Sequence, residues 1–198
     1  MKSTHNPFDP GYFTSAELRQ FGFARVGENC IVARNCTILG LENIVLGDDV
    51  RIDGYTTLIA VKGWINIGSH VHICSGCVIG ARGGVDLGSF SSLSHGTKLL
   101  SAVDDFSGNR MTNSTLPEKV LDVWTAPISI GRHVPIGSGA LILPGTTVGE
   151  GAAIQPMAIV TGTLPEWMVC GGNPARPLQR RSNQLLDHAA KLSHDTPN

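Results

Sequence analysis

Residues 130–160 read IGRHVPIGSGALILPGTTVGEGAAIQPMAIV. Stepping by six from Ile130 meets Ile136, Ile142, Val148, Ile154 and Val160, all of them β-branched aliphatics. Six such hits by chance are on the order of 10⁻⁴. The same step recurs upstream in Val26, Val32, Ile38 and Ile44, then Leu46, Ile52 and Leu58, then Ile67, Ile73 and Ile79, then Leu87, Leu93 and Leu99. Glycine often follows the aliphatic residue, as at Gly27, Gly47, Gly68, Gly88, Gly131 and Gly149. A small or β-branched residue stands four places after it, as at Cys30, Val50, Val71, Ser91, Val134 and Ala152. The unit is aliphatic–Gly–x–x–small–x.

A period of six matches neither the 3.6 of a helix nor the 2 of a flat strand. It matches a short strand and a turn repeated around a prism, with aliphatic and small side chains both pointing to the axis. Glycine is expected to supply unusual backbone angles at the turn. Three units make one coil, and coils stack at strand spacing, roughly 4.8 Å. The predicted fold class is mainly β, a parallel β-helix. The register slips between Ile44 and Leu46, Leu58 and Ile67, and Ile79 and Leu87, which reads as small corner bulges. Between Leu99 and Ile130 it breaks for a true insertion, residues 100–127, which is polar and carries Gly and Pro. A long loop in a compact repeat protein is usually functional or disordered. Its Asn113-Ser114-Thr115 sequon reads as accidental.

The rest of the composition agrees. Charged residues are only 16% of the 198, against 24 glycines and 11 prolines, which favours a turn-rich β chain. A net charge of −1 gives no basic excess for nucleic acid or an anionic membrane. No apolar run is long enough to span a bilayer, and the N-terminus shows no signal-peptide pattern, so the expected location is cytoplasmic. Residues 1–25 read as a cap, with Thr14-Ser15-Ala16-Glu17 opening a short helix to about Phe21. Residues 26–176 are the repeat domain. Residues 177–198 read as a helix from Pro177 to about Ser193, then a tail. Cys74 and Cys77 form C-x-x-C, but no second pair stands at zinc spacing, and Cys30, Cys36 and Cys77 occupy small inward slots, so the cysteines read as compact packing.

The repeat resembles that of the hexapeptide-repeat acyltransferases, over residues 26–176. The ending Gly172-Asn173-Pro174-Ala175-Arg176 is similar to the tail motif of the sugar and surface-polysaccharide acetyltransferase branch. The resemblance implies a left-handed β-helix, a homotrimer with active sites between subunits, and acetyl-CoA as donor to a sugar hydroxyl or amine, with no metal. In that branch a histidine in a Thr-His-Pro-like stretch acts as base. Here the matching stretch is Leu99-Leu100-Ser101-Ala102-Val103-Asp104-Asp105, and Asp104 stands in the histidine's place. A carboxylate in water is a weak base and an imidazole a better one. Asp104, with Asp105 beside it, and His95, on a turn of the same coil, therefore both remain candidates. An amine acceptor needs less basic help than a hydroxyl, which tilts the reading toward N-acetylation. By position, Ser138, Ala140, Pro156 and Thr161 would line the coenzyme A groove, Arg176 would meet its phosphates, with Arg180 and Arg181 as two further cations nearby, and Asp53 would bind the acceptor. The competing readings are a zinc hydratase of the γ-carbonic anhydrase type and a non-catalytic β-solenoid scaffold.

Overall fold

The structure, a computed structural model, describes residues 6 and 8–195. It is a left-handed parallel β-helix of seven coils. Its walls are a seven-strand face, a nine-strand face and a six-strand face, built by strands three apart in the chain except across the insertion and at the two ends of the nine-strand face. The first coil runs Arg25–Val26, Ile31–Ala33 and Thr37–Leu39. The register then repeats: Val26 opposes Leu46, Leu46 opposes Ile67, and Leu87 opposes Ile130 across the insertion. The hexad aliphatics fill the tube, with Ile52, Ile73, Ile79, Leu93, Leu99, Ile136 and Ile142 all at 0% exposure. The small positions Cys77, Ala140 and Ala152 are equally buried.

The glycine expectation needs correction. Gly27, Gly47, Gly68, Gly88, Gly131 and Gly149 do not hold positive φ. That conformation belongs to the residue two places later: Asn29, Asp49, His70, Phe90, His133 and Gly151. The repeated glycine is required because the next coil's backbone lies directly against it. A Cβ on Gly88 would stand 2.6 Å from the carbonyl carbon and oxygen of Gly131. The positive-φ corner forms a stack of its own, with His70 on Phe90 (4.7 Å between ring centres) and Phe90 on His133 (4.9 Å).

Both ends of the nine-strand face are closed by antiparallel strands, which covers edges that would otherwise invite pairing. Tyr12–Thr14 pairs with Ile31–Ala33. Helix α1 (Ser15–Leu18) follows, stopping three residues short of the expected Phe21. Glu17 Oε2 accepts the Thr14 amide at 2.8 Å, and Leu18, 1% exposed, plugs the tube. At the other end Met168–Gly172 pairs with Ala175–Arg180. This corrects the second helix: the stretch after Pro177 is a strand, because its amides find partners on the open edge, and α2 runs Leu185–Asp195. The last residues lie outside those described. The insertion is ordered as an arm, with Ala102–Asp104 antiparallel to Val123–Thr125.

Candidate active site

The outward side chains of the nine-strand face form a column. Arg51 neighbours His72, His72 neighbours Ser92, and Ser92 neighbours Pro135. Two places on from each, in successive coils, stand Asp53, Cys74, Ser94 and Gly137. At its upper part Asp53 is a hub. Its Oδ1 accepts from the Tyr12 hydroxyl (2.8 Å) and from Arg51 Nε (2.7 Å), and its Oδ2 lies 2.8 Å from His72 Nε2. Partial burial pushes this carboxyl up, but the hydrogen bonds from His72, Arg51 and Tyr12 outweigh it and bring the pKa down to about 2. The same carboxylate raises the Tyr12 phenol through their shared hydrogen bond. Asp53 therefore stays anionic, on a cavity of about 270 Å³ that Tyr12, Asn35, Arg51 and Tyr55 also line.

Asp53, His72 and Cys74 also bring ligand atoms within 4.8 Å of one another, and theirs is the one such metal-capable group among the described residues. Arg51 and Tyr12 already occupy one oxygen of Asp53, which leaves little net charge for a cation. The C-x-x-C pair does not form a site: Cys77 points into the core, where burial pushes its thiol up to about 11, and Cys74 points outward. All five cysteines are free.

Asp104 and Asp105 separate in role. Asp105 accepts from the Ser107 amide (2.7 Å) and hydroxyl (2.9 Å) and from the Arg110 amide (3.2 Å). The Ser107 hydroxyl and amide hold its carboxyl below the usual range. Asp105 is thus occupied in shaping the arm. Asp104 is exposed and lines a cavity of about 290 Å³ with Arg82, Ala102, Ser114 and Val123. His95 is exposed on the corner of the fourth coil, and its carbonyl accepts the Gly139 amide at 3.0 Å. It lies along the chain next to Ser94 rather than in the Asp104 cavity.

On the later coils Ser138, Pro156 and Thr161 are exposed at corners, and the Met157 amide donates to the Ser138 carbonyl. Ala140 is fully buried, its carbonyl accepting from Lys98 and its amide donating to Gly137, so neither its methyl nor its backbone faces outward. Arg176 and Arg180 are exposed on the closing strand. Arg181 is instead structural, donating through Nη1 to the carbonyls of His133 (2.7 Å) and Gly151 (2.8 Å). Sequence reading missed Tyr12, Arg51 and His72 around Asp53, and Arg82 beside Asp104. Only the parity of His72 along its strand hinted at an outward face.

No family model matches the chain. It is 32% identical over 176 residues to the dTDP-4-amino-4,6-dideoxy-D-glucose acyltransferase of Escherichia coli, covering 89% of this chain and 92% of that one. Among solved structures it superposes on AntD, an N-acyltransferase from Bacillus cereus, in complex with dTDP-4-amino-4,6-dideoxyglucose and coenzyme A. That match has a TM-score of 0.89 and 28% identity, over 94% of this chain and 98% of that one. A second AntD structure, with dTDP and 3-hydroxybutyryl-CoA, matches with a TM-score of 0.86 and 29% identity over 93% and 97%.

Proposed function

Because the chain belongs to the hexapeptide-repeat acyltransferases, in their sugar-modifying branch, we propose that it acetylates the amino group of a nucleotide-linked amino sugar, using acetyl-CoA. The observation that carries this is the near-full-length likeness to an N-acyltransferase that binds a dTDP-amino sugar and coenzyme A together. The chemistry is direct. The neutral amine attacks the thioester carbonyl, a C–N bond forms, the C–S bond breaks, and the proton leaving nitrogen ends on the coenzyme A sulfur.

Asp104 is the group that accepts a hydrogen bond from the acceptor amine and orients its lone pair. Two observations support it over His95. It lines a cavity, whereas His95 lies on an open corner. In AntD a serine and an aspartate ten positions apart were each replaced, and in this sequence Ser94 and Asp104 are the one serine–aspartate pair with that separation and order. Asp53 contributes a fixed anion to acceptor binding. Ser138, Pro156 and Thr161 line the donor groove, and Arg176 and Arg180 present guanidinium forks to its phosphates.

The outward side chains of the six-strand face favour a trimer. Leu39, Ile59, Gly80 and Leu100 form one apolar column, while the neighbouring one is mixed, running Thr37, Thr57, Val78, Lys98, Leu141 and Ile159. Leu39 is 49% and Ile59 37% exposed in the single chain. In such a trimer, with active sites between subunits as in the family, the arm with Asp104 would lie against a neighbouring chain.

The test is thiol release from acetyl-CoA with dTDP-4-amino-4,6-dideoxyglucose and with its 4-hydroxy counterpart. The amine should turn over faster; a faster hydroxyl acceptor overturns N-transfer. Asp104→Asn should lower kcat by about a hundredfold, with His95→Ala changing it only a few-fold. The reverse pattern would move the role to His95.

A further inference from the structure

At the corner beyond the six-strand face, Arg82 lines three adjoining cavities of about 300, 290 and 440 Å³. The first is apolar, walled by Ile59, Val61, Leu100 and Ala102. The second contains Asp104, and the third contains Lys62, Ser114 and Glu118. Lys62 is tied to Glu118 at 2.8 Å. Arg82 donates no hydrogen bond and joins no close ion pair among the described residues; its charge is felt at longer range by Glu118, and it faces a cavity that also holds Asp104.

Two opposite charges in one cavity attract each other, yet here they remain apart. The arrangement suits a ligand with an N–H-bearing group at one end and an anion at the other. In a nucleotide-linked amino sugar, a pyranose ring separates just these groups: the amine on one side and the anomeric diphosphate on the other. We infer that Arg82 is the anchor for the acceptor's diphosphate, with the sugar ring lying between it and Asp104. The guanidinium offers paired N–H donors to two phosphate oxygens, a geometry that a lysine cannot copy. On the same wall Ser114 adds a hydroxyl, while the Lys62 charge is already paired with Glu118.

This inference rests on the amino-sugar reading, and the experiment separates the two. Steady-state kinetics compare wild type, Arg82→Gln and Arg82→Lys with dTDP-4-amino-4,6-dideoxyglucose and with the same amino sugar lacking the nucleotide. Arg82→Gln should raise KM for the nucleotide-linked acceptor by about ten- to a hundredfold, with kcat and the KM for acetyl-CoA little changed. Arg82→Lys should recover only part of the loss. The acceptor without a diphosphate should respond equally to wild type and variant. Calorimetry with dTDP alone should show the same weakening in Arg82→Gln. An unchanged KM and unchanged dTDP affinity in Arg82→Gln overturn the anchor while leaving N-acetylation standing, as does an equal loss with the acceptor that lacks the nucleotide. Wild-type protein that acetylates no amino sugar, yet loses dTDP binding in Arg82→Gln, overturns the acetylation reading while the diphosphate anchor survives.

Discussion

Asp53 illustrates how one side chain is set by its neighbours. Three groups hydrogen-bond its carboxyl, and its side chain is 13% exposed. Its folded pKa, about 2, lies below the unfolded value near 3.9. The resulting stability is therefore complete above about pH 4 and is lost as the pH falls toward 2. The whole shift is worth about 2 kcal/mol, and about half of it should be gone by pH 3. Urea unfolding at pH 5 and pH 3 should show a smaller acid loss in Asp53→Asn than in wild type; identical losses would mean the cluster does not stabilise the fold. The same residue shows the reach of sequence reading. The resemblance to the sugar acetyltransferases marked Asp53 as an acceptor-binding position, but its partner Tyr12 lies 41 residues away and no local pattern marks it.

Among the elements, the corner glycines carry the tightest constraint. Gly88 faces backbone atoms of Gly131 and Arg132 at 2.6–2.7 Å from where its Cβ would be. Side chains can rotate away from such a contact, but stacked backbone cannot, so Gly88→Ala should cost about 1–3 kcal/mol. Gly76, at φ +72 with nothing within 4 Å of its Cβ position, should lose only the strain of a left-handed alanine, about 1 kcal/mol. Chemical denaturation of both variants checks the order. Equal losses would return the corner glycines to a role in backbone freedom. The sequence marked these glycines by spacing and misread why they are there, because close approach between coils is a contact one whole coil distant along the chain. The second helix was misplaced for a related reason. Residues 175–180 join an edge strand because an open edge is present beside them, and propensity alone does not reveal that edge.

For the whole molecule, the prism has two kinds of outer wall. The seven-strand face shows Arg25, Val45, Asn66, Asp86, Ser129 and Thr147 outward, polar except for Val45, and suits water. The six-strand face shows the apolar column of Leu39, Ile59 and Leu100 beside a mixed one that includes Lys98, and that apolar column suits another subunit. Light scattering after size exclusion should give three times the 20.9 kDa chain mass. Ile59→Asp should shift it toward monomer and lower activity, since the arm would no longer meet a neighbour's column. A fully active wild-type monomer would overturn the shared site. Among the described residues, no helix is long and apolar enough to cross a membrane.

The amino-acid sequence by itself determined the tube. Each coil needs only a side chain of the right size at a fixed spacing, and that demand repeats often enough to be read directly. It also determined where the repeat is interrupted, because an insertion breaks the spacing. The tertiary structure alone decided which outward residues come together: Tyr12 and His72 on Asp53, and Arg82 with Asp104 around one cavity. Outward positions face no repeating steric demand, so their chemistry varies freely along the chain, and only the stacking of coils and the folding back of the arm bring those side chains together.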